Sequence, residues 1–212
     1  IPLVSCGSCG QTYPVSDAPF KCDCGGAYDY SRFPSFVEPE KLSSPGLWRY
    51  RASLGLPLEA PEISLGEGNT PLLPGKFNGF PVFYKMESQN PTGSYKDRGS
   101  AVLVSFLRSR QVTSAVEDSS GNAGASLAAY CARAGVQVQV FIPESASGPK
   151  RWQIEMFGAQ VERVPGPRAN AAGWPRGPLH PRPPACRTRI SHAGTGSRSP
   201  ANRRSVGWSI RC

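Results

Sequence analysis

Between residues 80 and 164 the chain alternates between short strand patterns and longer helical ones, and that alternation leaves few folds open. Residues 80–86 read as a strand and 90–95 as a turn. Residues 97–110 carry Ala101, Val102, Val104, Ser105 and Leu107 at helical spacing. A short strand pattern at 113–117 runs into a Ser/Gly/Asn loop, and helical spacing resumes over 123–134 with Gly135 as its stop. Residues 136–142 alternate apolar and polar as a strand does, 151–157 read as a helix closed by Gly158, and 160–164 as a further strand. Strands separated by helices of this length imply parallel βαβ units and a layered α/β fold. Such sheets bind ligands at strand C-terminal ends and helix N-termini.

The flanks are of different character. Cys6-x-x-Cys9 and Cys22-x-Cys24 lie in a Gly-rich segment, 1–34, and two such pairs across a short loop can bring four thiolates into a tetrahedron around a structural zinc. The second pair is CxC, not the commoner CxxC, and a metal-free knuckle or a redox pair are the other readings. Cys131, mid-helix among Ala and Tyr, reads as a small buried residue.

Of the 24 basic side chains, nine fall after Val164, all of them Arg, and no Asp or Glu accompanies them, so the whole +9 charge sits in 165–212. That segment is rich in Pro and Gly and poor in aliphatic residues, so it cannot bury enough apolar surface to offset its ordering entropy. Arg, Pro, Gly and Ala without Lys is the mixture a GC-rich gene yields out of frame. The segment is therefore expected to be an out-of-frame, disordered tail, with a genuine disordered extension and a nucleic-acid-binding arm as alternatives. Gly194-Thr-Gly-Ser197 has no strand before it and no helix after it, so it is not read as a phosphate loop. His180 and His192 both lie here, and their absence from 1–164 excludes Ser-His and Cys-His catalysis there. No apolar run approaches the ~18 residues of a membrane span. The chain opens on Ile without a secretory pattern, and a cytoplasmic location is expected.

Two motifs occupy the ligand end of the βαβ pattern. Asn90-Pro-Thr-Gly-Ser-Tyr-Lys96-Asp-Arg-Gly99 delivers a lysine to a helix start, where the helix dipole works against an ammonium and favours the amine that a nucleophile needs. Ser119-Ser-Gly-Asn-Ala-Gly124 is a small-residue loop entering a helix, which leaves backbone N–H groups for an anion. Singly, each has an ordinary reading: a solvated lysine after a turn, and a helix cap.

Together, and preceded by Gly66-Glu-Gly-Asn-Thr-Pro-Leu72, they resemble the threonine synthases of the pyridoxal-phosphate-dependent tryptophan synthase β superfamily, over roughly residues 1–164. The resemblance implies an α/β enzyme of fold type II. The chain then divides into a zinc-ribbon-like segment at 1–34, a partial catalytic domain at 35–164 and the tail at 165–212. It implies pyridoxal 5′-phosphate as cofactor, with Lys96 forming the Schiff base and later shuttling protons. It also implies that Asn122 contacts the pyridoxal ring oxygen and that Ser119, Ser120 and Gly121 receive the substrate carboxylate. Tyr95 stands where the family usually has Phe. The family reaction converts O-phospho-L-homoserine and water to L-threonine and phosphate, in a homodimeric full-length enzyme with no membrane or nucleic-acid partner. A threonine dehydratase or a cysteine-synthase-like β-eliminase is the rival within the class. Cys6, Cys9, Cys22 and Cys24 would hold the zinc. The family's cofactor-phosphate loop and pyridine-nitrogen partner come later than residue 164, so this chain alone is expected to be inactive.

Overall fold

The computed structural model describes residues 3–19, 21–39, 45–146 and 148–173, and the backbone of 208–210. Among these residues no helix is long and apolar enough to cross a membrane.

The front of the chain forms a small antiparallel sheet. Strand β1 (Leu3–Cys6) lies between β2 (Thr12–Pro14) and β3 (Tyr28–Tyr30), with Val4 opposite both Tyr13 and Tyr30. Its core is thin: Val4, Val15 and Ala18, flanked by Tyr13, Tyr28 and Tyr30. A 3-10 helix at Gly46–Ser53 follows, burying Leu47 and Trp48 in the main core.

The expected strand at 80–86 is present as β5 (Phe80–Lys85), but it is not part of a parallel layer. It pairs antiparallel with β4 (Leu72–Phe77) in a separate two-stranded sheet. The cause is local: Asn78 and Gly79, with φ of 48° and 84°, make the tight turn whose twist suits a hairpin. Parallel pairing begins later, in the order β8-β7-β6-β9. Its members are β6 (Ser114–Glu117), β7 (Gln137–Pro143), β8 (Gln160–Val164) and the backbone strand β9 (Trp208–Ile210). Helix α1 (Lys96–Ser109) precedes β6, α2 (Asn122–Ala134) links β6 to β7, and α3 (Pro149–Met156) links β7 to β8.

The main core joins Val104 and Leu107 of α1, Leu127 and Tyr130 of α2, Ile154 of α3, and Ala115, Val138, Val140 and Ile142 from the sheet. The alternation along 136–142 predicts one solvated face for β7, yet Phe141 is 2% exposed. It packs with Val116, Val164 and Ala171 in a second cluster. Ala171 belongs to α4 (Arg168–Gly173), so the first residues of the segment expected to be disordered form a short helix. The segment 165–173 is ordered because a small residue at 171 fills the gap over Phe141, whose burial rewards one short helical turn. The rest of the expected disordered tail lies outside the described residues, β9 backbone excepted.

Candidate active site

Lys96 is the first residue of α1, and the turn before it is fixed from three directions. Asp97, fully buried, accepts hydrogen bonds from the Thr92 backbone N–H (2.7 Å), the Thr92 hydroxyl (2.5 Å) and the Ser126 hydroxyl of α2 (2.6 Å). A carboxylate in the first turn of a helix is favoured by the dipole as well. Ser126 also reaches the Ser100 hydroxyl at 2.8 Å, tying α1 to α2 one turn further on. From α3, Lys150 Nζ and Gln153 Nε2 each donate to the Thr92 carbonyl at 3.2 Å.

On the outer side, Arg98 makes a two-pronged pair with Glu87, Nε to Oε2 at 2.9 Å and Nη2 to Oε1 at 2.8 Å. Glu87 also accepts from the Thr70 hydroxyl and from Asn90 Nδ2, and Asn90 Oδ1 accepts from the Gly68 N–H. The Arg98 hydrogen bonds, helped by those of Thr70 and Asn90, hold the Glu87 carboxyl at about 2. Glu67, 1% exposed, accepts from Ser64, from the Leu65 N–H and, at 2.7 Å, from the Tyr130 hydroxyl of α2. Burial first, and then Glu67, drive the Tyr130 phenol far above its ordinary value. The segments 64–70 and 90–98 are thus bound to each other and to α2 through buried polar contacts.

Lys96 opens into a largely apolar cavity of about 340 Å³, lined also by Tyr95, Arg98, Leu103, Glu117 and Leu127. Its Nζ lies 5.0 Å from the centroid of the Tyr95 ring. The first turn of α2 reaches this cavity through Ala123. Ser119, Ser120, Gly121 and Asn122 stand immediately before it without lining it: Ser119 is buried, with its Oγ 3.4 Å from the Gly121 N–H, and Asn122 is exposed. The loop's shape depends on Gly124, where a Cβ would come within 2.0 Å of the Ser119 carbonyl oxygen and 3.1 Å of Ile154 Cδ1. Sequence reasoning named Lys96 and this loop but gave no role to Asp97, Arg98, Glu87 or Glu67. The Asp-Arg pair directly after the lysine was the available signal.

The thiols Cys6, Cys9, Cys22 and Cys24 converge, all four sulfurs lying within 4.8 Å of one another. The N–H groups of Cys9 and then Ser8 bring the Cys6 thiol down to about 6. The Gly26 N–H acts in the same sense on Cys24, but the neighbouring thiols outweigh it and push Cys24 up to about 12.

A primary amine at a helix start, opening into a largely apolar cavity of ligand size, is a donor set that suits a carbonyl cofactor. Residues 63–176 match the family described as pyridoxal-phosphate dependent enzyme. Among curated proteins, the threonine synthase of Methanocaldococcus jannaschii is 40% identical over 77% of this chain and 44% of its own length. That of Methanosarcina acetivorans is 36% identical over 77% and 42%. Cysteine synthase B of Campylobacter jejuni is 41% identical over 46% and 34%. The chain therefore spans less than half the length of these relatives. The stretch that matches the family holds Lys96, its turn and the loop before α2, and it covers more than half of the chain, which belongs to the pyridoxal-phosphate-dependent enzymes.

Proposed function

We propose that this chain is part of a threonine synthase, acting on O-phospho-L-homoserine and water to give L-threonine and phosphate, with the segment 165–212 read out of frame from a break between Val164 and about Ala172. The observation that carries the reading is Lys96 on a rigid turn at the mouth of an apolar cavity, in a chain 40% identical to a threonine synthase over most of its length. The cysteine synthase similarity covers a shorter stretch and keeps a β-eliminase as the second reading.

Pyridoxal phosphate, when bound, supplies an electron sink for carbanion chemistry at the substrate. The chain's own residues do the rest. Lys96 would hold the cofactor through its Nζ, and the same amine, when free, is the group placed to hold and return protons there. Asp97 and Arg98 act at one remove: Asp97 fixes the Thr92 backbone before the lysine, and Arg98 ties the helix start to the Glu87 side chain. Leu103, Ala123 and Leu127 exclude water from the cavity. Ser119, Ser120 and Gly121 would take the substrate carboxylate and Asn122 would contact the cofactor ring, from the loop that leads into α2 beside the cavity.

The reaction is tested on the product obtained when the gene's frame is restored after the Val164 codon and followed to the relatives' length. O-phospho-L-homoserine should release phosphate and threonine in equal amounts. Consumption of O-acetylserine or L-threonine with phosphohomoserine left intact overturns the substrate assignment. The 212-residue chain by itself should give no product.

A further inference from the structure

The front segment has too little apolar mass to hold itself together. Val4, Val15 and Ala18 are its buried core, in a fold where four sulfurs crowd one point. Cys6 Sγ lies 3.5 Å from Cys24 Sγ and Cys9 Sγ lies 3.4 Å from Cys22 Sγ. A tetrahedral zinc with bonds of about 2.3 Å sets its sulfurs about 3.8 Å apart, which is close to this spacing. The backbone is built for sulfur as well. The Ser8 N–H points at Cys6 Sγ at 3.4 Å, and a Cβ on Gly26 would sit 2.5 Å from that same sulfur. Four soft thiolates on two tight turns select zinc over the hard cations.

This knuckle is seated on the far end of α1 from Lys96. Phe106 of α1 packs onto the Val4, Val15 and Ala18 cluster. Arg110, just past the helix end, donates through Nη1 to the Ala18 carbonyl at 2.6 Å, and its guanidinium lies over the Phe106 ring, 5.6 Å from the centroid. The Ala18 carbonyl lies in the stretch between the two cysteine pairs, so the metal's turns and the helix end share one short piece of chain.

We propose that Cys6, Cys9, Cys22 and Cys24 hold one zinc ion, and that the zinc-bound knuckle is a clamp on the C-terminal end of α1, so that losing the metal frees the helix whose other end carries Lys96. The metal site and the clamp stand without the cofactor assignment; only the consequence for Lys96 rests on it. Because binding energy in such a site is folding energy, the metal decides whether the clamp exists.

The test uses the full 212-residue chain, purified without chelator from zinc-supplemented medium, with elemental analysis and amide hydrogen exchange as readouts. About one zinc per chain is expected. Removing it with a thiol-modifying reagent and a chelator should accelerate exchange roughly tenfold or more both in residues 3–30 and in the last turn of α1. Arg110→Met should keep the zinc while loosening the last turn of α1, which separates the clamp from the metal. Zinc near zero, or iron in its place, overturns the metal assignment. Zinc whose removal leaves α1 exchange unchanged, or an Arg110→Met chain with wild-type α1 exchange, overturns the clamp.

Discussion

Asp97, Gly124 and Glu87 each make a prediction about the order around Lys96. Asp97 is buried and takes three hydrogen bonds, so Asp97→Ala leaves the Thr92 N–H and the Ser126 hydroxyl without it. A loss of about 2–4 kcal/mol in urea unfolding is expected. Gly124→Ala drives a methyl into the Ser119 carbonyl and should cost about 1–3 kcal/mol, with a loss at the low end only if the loop can move away. Glu87 supplies a pH signature. Its carboxyl is held at about 2 in the folded chain against an ordinary 4.5, chiefly by the Arg98 hydrogen bonds. A depressed carboxyl contributes stability that is complete above its unfolded value and lost as pH falls through the folded one. Unfolding measured from pH 5 to pH 2 should therefore show a declining contribution that Glu87→Gln removes. Equal slopes in the two chains over that window contradict the pair. These residues were only half legible. Lys96 stood out because turn chemistry and helix start are local, whereas the partners of Asp97 and Arg98 lie on α2 and in the 70–90 stretch and leave no mark on local spacing.

At the level of elements, legibility followed period and caps. Helices α1, α2 and α3 and strands β6, β7 and β8 appear within a few residues of the expected spans, because their apolar spacing and stop residues act locally. Strand β4 was missed: Pro74 and Gly75 interrupt it and its apolar residues do not alternate, so only pairing with β5 across Asn78-Gly79 makes it a strand. Helix α4 was missed because one buried Ala171 carries it. The contact between Glu67 and Tyr130 fastens the loop before β4 to α2. Tyr130→Phe keeps the ring's packing but removes the donor that a buried carboxylate relies on, and should cost about 1–3 kcal/mol in thermal or chemical unfolding. A variant as stable as wild type would mean that this link does not hold the loop.

Taken whole, the described residues form a four-cysteine knuckle at the C-terminal end of α1, a separate hairpin and a parallel layer packed with α1 and α2, with Lys96 at the opposite end of α1 from the knuckle. Cys131 is a whole-fold reporter: burial first, then Glu117, pushes its thiol up to about 12. It should resist alkylation until global unfolding, while thiols of the metal-free knuckle react early. The Lys96 assignment is tested most directly by adding pyridoxal phosphate to the 212-residue chain, reducing with borohydride and mapping the modified peptide by mass spectrometry. The label should fall on Lys96, in preference to Lys21, Lys41, Lys76, Lys85 and Lys150, and Lys96→Ala should remove that labelled peptide. Label spread evenly over the lysines, or concentrated on one of the others, would contradict the account.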